Sequence, residues 1–159
     1  MNVYLLEDGL KRAFEAKLVD LPLPTRTRSR RPADGEAECI PPLVFVGQEP
    51  PKTAAEMYDA PLVLIQNMAG HDEGGFLHAT LVVRMVVWNE EPDAAENDLQ
   101  NLLSLLRRTV LEFRANPLQG KWVAEAASNG QWCPWDRPDG QAPQFAQAYF
   151  LCHWHTLGF

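Results

Sequence analysis

The sequence predicts an α+β fold: a mostly antiparallel sheet of about four to five strands, covered by one long helix over residues 93–113 and an N-terminal helix over residues 2–20. Three patterns carry this reading. Residues Phe76 to Trp88 alternate, with Leu77, Ala79, Leu81, Val83, Met85 and Val87 on one side and a mixed set on the other, the period of a strand. Leu99, Leu102, Leu103, Leu106, Val110 and Phe113 recur at i, i+3, i+4, i+7, i+11 and i+14, a single helical face. Val3, Leu6, Leu10, Phe14 and Leu18 repeat a near-helical spacing behind Asn2, a residue suited to capping.

Taken in order, the first helix turns Glu7, Asp8, Lys11 and Arg12 toward solvent and stops near Asp20, because Pro22 and Pro24 follow. Eight of the thirteen prolines lie between Leu21 and Pro61, a spacing no regular helix can run through. Residues 22–56 are expected to form a proline- and arginine-rich excursion that orders against a partner, within a single domain over residues 1–159. Inside it, Leu43 to Val46 is a candidate edge strand. Leu62 to Gln66 suits a strand buried on both faces, and Asn67 to Gly75 supplies turn chemistry. The alternating run Phe76 to Trp88 would extend roughly 44 Å at about 3.4 Å per residue. Its hairpin partner is then too short for it, so Val83 to Trp88 must pair elsewhere or bend away.

Glu91 or Asn89 is placed to cap the second helix, with Pro92 in its first turn. Glu90, Glu91, Asp93 and Glu96 gather at its positive end, and Arg107, Arg108 and Arg114 lie toward its negative end. Asn116-Pro117 and Gly120 end it. Trp122 to Ala127 is a short strand, Ser128 to Pro143 a turn-rich loop with Trp132, Cys133 and Trp135, and Gln144 to His155 a last strand.

Composition excludes several classes. The formal charge of −7 argues against nucleic-acid binding as the main task. The local exception is Arg26, Arg28, Arg30 and Arg31, a solvated run or a contact with DNA or an acidic subunit; no aromatic residue is interleaved for base stacking. No apolar run is long enough for a membrane helix, and no signal-peptide pattern is present, which places the chain in a cytosol. Cys39, Cys133 and Cys152 are odd in number and far apart, as free thiols would be.

Chemistry-bearing motifs are scarce. There is no GxSxG elbow and no phosphate loop. His153 and His155 share a strand face, but Cys152 points the other way, so a metal would need His71 or His78 as well. An ordinary strand end is the simpler reading, and no catalytic, metal or cofactor-binding residue is expected. His71, Asp72, Glu73 and Phe76 at the hairpin turn, the four arginines, and Trp132 and Trp135 are the candidate subunit-contact residues.

The block APLVLIQNMAGHDEGG, then ATLVVRMVVW, then ENDLQNLLSLLRRTVLEF is similar to the tail terminator (tail completion, minor tail) proteins of tailed bacteriophages and prophages. So is the order around it, one helix before and two strands after. The resemblance spans roughly residues 1–21 and 60–159. It implies a homo-oligomeric ring, usually a hexamer, at the head-proximal end of the tail tube. Such a ring stops tube polymerisation and joins tail to head. It implies partners in the tail tube protein and the head connector, DNA only in passage, no membrane, no cofactor and no catalytic residues. The implied location is the bacterial host cytoplasm during assembly and then the virion tail. Alternatives from other classes are a neck or head–tail connector protein, a small metal-dependent α/β enzyme using His153, His155 and one of His71 or His78, and a nucleic-acid adaptor using Arg26 to Arg31.

The helix stripe gives a first test. Each buried aliphatic side chain contributes on the order of 1.5–3 kcal/mol, so Leu103→Asp is expected to abolish cooperative unfolding followed by circular dichroism.

Overall fold

The computed structural model describes residues 3–26, 38–47 and 59–156 and has two helices and a six-stranded mixed sheet. In chain order the elements are α1 (Val3–Leu18), β1 (Leu23–Pro24), β2 (Cys39–Ile40), β3 (Leu43–Val46), β4 (Leu62–Glu73), β5 (Phe76–Trp88), α2 (Pro92–Glu112), β6 (Trp122–Glu125), β7 (Trp135–Asp136) and β8 (Phe145–Thr156). The main sheet runs β3-β4-β5-β8-β6, and β7 pairs a separate stretch of β8. β3 lies parallel to β4, whereas the other pairs are antiparallel. Val46 and Leu62 are far enough apart in sequence for the crossover a parallel pair needs. β1 and β2 form a separate two-stranded ladder.

The core occupies one face of the sheet. Leu6, Leu10, Phe14 and Leu18 of α1 and Leu99, Leu102, Leu106 and Val110 of α2 are fully buried. They cluster with Val63 and Ile65 of β4, Leu81, Val83 and Met85 of β5, Trp122 of β6, and Phe150 and Trp154 of β8. The odd-numbered residues of β5 enter this layer, as period two requires. The even-numbered ones face the opposite side.

The hairpin departs from the sequence expectation. β4 continues to Glu73, and only Gly74 and Gly75 form the turn. Both have positive φ, 60° and 82°, as a type I′ turn demands. β4 therefore pairs β5 from Glu73↔Phe76 to Leu62↔Val86, across one bulge between Asn67 and Ala69. β8 pairs the other side of β5 from His78 to Trp88. The partner strand is not too short, and Val83 to Trp88 need no partner from outside. Polar composition and three glycines hid the strand: Asn67 to Glu73 are exposed, so the hydrophobic alternation that identifies buried strands is missing there.

Smaller differences have local causes. Glu7 is buried (7% exposed), not turned to solvent. α1 packs beside the β3–β4 edge, and the Asn67 backbone N–H donates to the Glu7 carboxylate. Burial pushes that carboxyl above its ordinary pKa, partly opposed by this bond. Glu91 stands at the α2 N-cap without a side-chain cap bond; Asn89 Oδ1 instead accepts from the Glu91 backbone N–H, 3.1 Å. The last turn of α2 carries no basic residue. Arg107, one turn earlier, donates to the Trp132 and Cys133 carbonyls, both at 3.0 Å, and so pins the 128–143 loop to the helix. Within the 22–56 segment, β1, β2 and β3 are ordered short strands, and Arg26 bridges Ala60. Asn2, Arg28, Arg30 and Arg31 lie outside the described residues.

Charged donors contribute more than neutral ones. Arg107→Ala is expected to cost about 1.5–3 kcal/mol, read as a lower urea midpoint with an unchanged m-value.

Candidate functional site

The second face of the sheet carries no helix among the described residues, and it collects the polar chemistry of the chain. All four histidines fall on it. His71 of β4 lies directly opposite His78 of β5, which lies opposite His155 of β8. The His71 and His78 rings stack, with centroids 4.9 Å apart and planes 6° from parallel. Glu125 of β6 binds two members of the row: Oε1 lies 3.1 Å from His78 Nδ1, and Oε2 lies 2.9 Å from His155 Nδ1. An ionised carboxylate can only accept, so both imidazoles carry their proton on Nδ1. Phe76 sets its ring edge-on against His155, 6.2 Å between centroids. His71 Nε2 lies 3.4 Å from Glu73 Oε2.

His153 takes a different partner. Its Nδ1 is 3.1 Å from the Thr80 hydroxyl. Burial holds its pKa below the ordinary histidine value, and the negative charge of Glu125 opposes this in part. The His153–His155 pairing expected for a metal enzyme is thus divided between Thr80 and Glu125.

The candidate contact residues separate into places. His71, Asp72, Glu73 and Phe76 are exposed together at the closed end of the hairpin. Arg26 is at the far end of β5, its guanidinium 5.3 Å from the Trp88 ring centre. Trp132 is half-buried against the core, with Arg114 over its ring at 5.4 Å, and so roofs the core. Trp135 remains 44% exposed on β7. Of the acidic residues near the α2 start, Glu96 pairs with Arg137 and Asp98 accepts from Asn89.

An open cleft of about 730 Å³ crosses the sheet from Glu7, Gln66 and Met68 to Arg84, Tyr149 and Leu151. Arg84 is exposed in it and has no hydrogen-bond or ion-pair partner among the described residues. Cys133 and Cys152 are buried free thiols. Burial raises both, Cys133 to about 12, so neither supplies a thiolate at neutral pH. No helix of the structure is long and apolar enough to cross a membrane.

The glutamate shared by two histidines was invisible to sequence reasoning. Glu125 sits in a short strand remote from both, and only the β6–β8 register brings it across. The His71–His78 pairing did leave a signal: counting outward from Gly74-Gly75 as a two-residue turn matches 73 with 76, 72 with 77 and 71 with 78. No protein-family model matches the chain, and no curated protein matches its sequence.

A histidine whose folded pKa is depressed stabilises the fold above its unfolded value. That contribution is lost as pH falls through the window from about 6.5 down to the folded value. Melting temperatures between pH 7.5 and 5 are therefore expected to fall less for His153→Gln than for the parent.

Proposed function

We propose that this chain is a non-enzymatic virion assembly protein, a tail terminator or a close relative. Its subunits associate into a ring, with six subunits as the resemblance implies. The ring covers the head-proximal end of the tail tube, leaves no site for another tube subunit, and offers its other side to the head connector. DNA only passes through it. Assembly takes place in the host cytoplasm, and the product is part of the virion tail.

One observation carries this reading. β3 covers β4 only from Leu62 to Ile65. From Gln66 to Glu73 the outer edge of β4 has no strand partner among the described residues. It is an exposed edge that ends in a turn, the kind of surface on which a second chain adds a strand. Glu7 already occupies the Asn67 N–H, so the open stretch is Met68 to Glu73. The uncovered length thus belongs to β4, whereas β5 is paired on both sides.

Other features fit the same reading. α2, 21 residues long, provides a stiff cover for the sheet. The arginine- and proline-rich segment over residues 22–56 supplies a second contact to a neighbouring subunit or to the tail. The net charge of −7 suits a ring through which DNA slides without sticking. Burial keeps Cys133 and Cys152 protonated, and Glu125 is engaged by two histidines, so none of these three groups is an activated nucleophile.

Native mass spectrometry of the untagged chain, alone and with tail tubes, is expected to give a closed oligomer. Met68 is 60% exposed on the open edge. Met68→Lys is expected to shift that population toward monomer without changing the far-ultraviolet circular dichroism, because an edge lysine opposes strand addition. A strict monomer under both conditions contradicts the reading.

A further inference from the structure

We infer that the closed end of the β4–β5 hairpin is a binding site for a divalent transition-metal ion, held by His71, Glu73 and His78. The inference concerns the hairpin of a single chain and stands or falls separately from ring formation.

Donor placement comes first. One donor atom from each of the three residues lies within 4.8 Å of the others. Tetrahedral coordination at about 2.0–2.1 Å places donors roughly 3.4 Å apart. A pair at the limit of that spacing closes to it with movements of about 0.7 Å each, which side-chain rotation supplies. His71 and Glu73 are exposed, so their rotation meets little resistance. The backbone beneath them is fixed. His71 and His78 are cross-strand partners, and Glu73 is two residues from His71 on the same strand, next to the Gly74-Gly75 turn.

Tautomer control comes second. Glu125 accepts from His78 Nδ1 at 3.1 Å, which leaves the Nε2 lone pair free. A histidine that donates its other nitrogen to a carboxylate is the usual form of a metal-bound imidazole: the bond orients the ring and raises its basicity. Glu125 makes the same bond to His155, so its own position is held from two sides. A histidine pair placed only for ring stacking would not need this carboxylate behind it.

The donor set selects the metal. Two imidazoles and one carboxylate suit Zn²⁺, Ni²⁺ or Cu²⁺, and disfavour Mg²⁺ and Ca²⁺, which require oxygen. Three protein ligands leave a fourth position open on the solvent side. Bound metal would join β4 to β5 at the turn and stiffen the hairpin end.

Calorimetry on untagged, chelator-stripped protein tests the site with Zn²⁺ and, separately, Mg²⁺, and Co²⁺ titration reads the coordination. The expected result is saturable binding of one Zn²⁺ per chain, no Mg²⁺ binding, and visible Co²⁺ absorption of four-coordinate strength. His71→Ala, an exposed position that leaves the fold intact by circular dichroism, is expected to weaken Zn²⁺ at least about tenfold through loss of one of three ligands. His153→Gln, whose partner is Thr80, is expected to leave Zn²⁺ affinity unchanged. Absence of saturable Zn²⁺ binding, Zn²⁺ affinity unaltered in His71→Ala, or loss of binding in His153→Gln equal to that in His71→Ala would each overturn the assignment.

Discussion

Everything else in the structure depends on burying one face of β5. Its odd-numbered side chains, from Ala79 to Val87, lie under α1 and α2, while β4 and β8 hydrogen-bond to it on either side. That central position satisfies the backbone polar groups of the longest strand and fixes its register, because a one-residue slip would turn Leu81, Val83 and Met85 out of the core. The two helices add Phe14, Leu99, Leu102 and Leu106 to the same layer. Tryptophans 122 and 154 complete it from β6 and β8.

The same constraint determines what lies outside the core. With the odd-numbered side chains of β5 committed to the helix side, its even-numbered positions and their neighbours on β8 present His78, Thr80, Arg84, Tyr149, His153 and His155 to the other, beside the buried Val82 and Trp88. Past the bulge at Asn67/Ala69 the hairpin runs beyond β3, so the strand that is most central at one end of the sheet has a bare neighbour at the other. The proposed subunit edge and the proposed metal site both follow from this geometry. They use different groups: the edge uses backbone amides and carbonyls of β4, the metal site uses side chains above the strands.

Much of this was legible in the sequence. Strict alternation over Phe76 to Trp88 and the leucine stripe of α2 announced a strand and a helix, because each buries a regular set of side chains. β3 was legible from an apolar run between Pro42 and Gly47. The outer half of β4 was not, because seven exposed residues from Asn67 to Glu73 leave no burial pattern to read. Local turn chemistry in the Gly74-Gly75 pair held the register, but Gly70 and the polar neighbours suggested a longer loop. Glu7 misled for another reason: a helical wheel locates a residue relative to its own helix and says nothing of a sheet edge packed beside it. The full histidine row required strand order, since β8 comes to lie beside β5 only after α2 has been crossed. Arg26 could be read as part of a charged run, but not as the cation resting on Trp88.

The central claim is that subunits join through the bare outer edge of β4. Residue-resolved amide hydrogen exchange, compared between dilute and assembled protein, tests it most directly. The account expects outward-facing amides between Met68 and Glu73 to exchange freely when dilute and to become protected on assembly, with β5 protected in both states. Assembly that leaves those amides freely exchanging, and protects another surface instead, would contradict it.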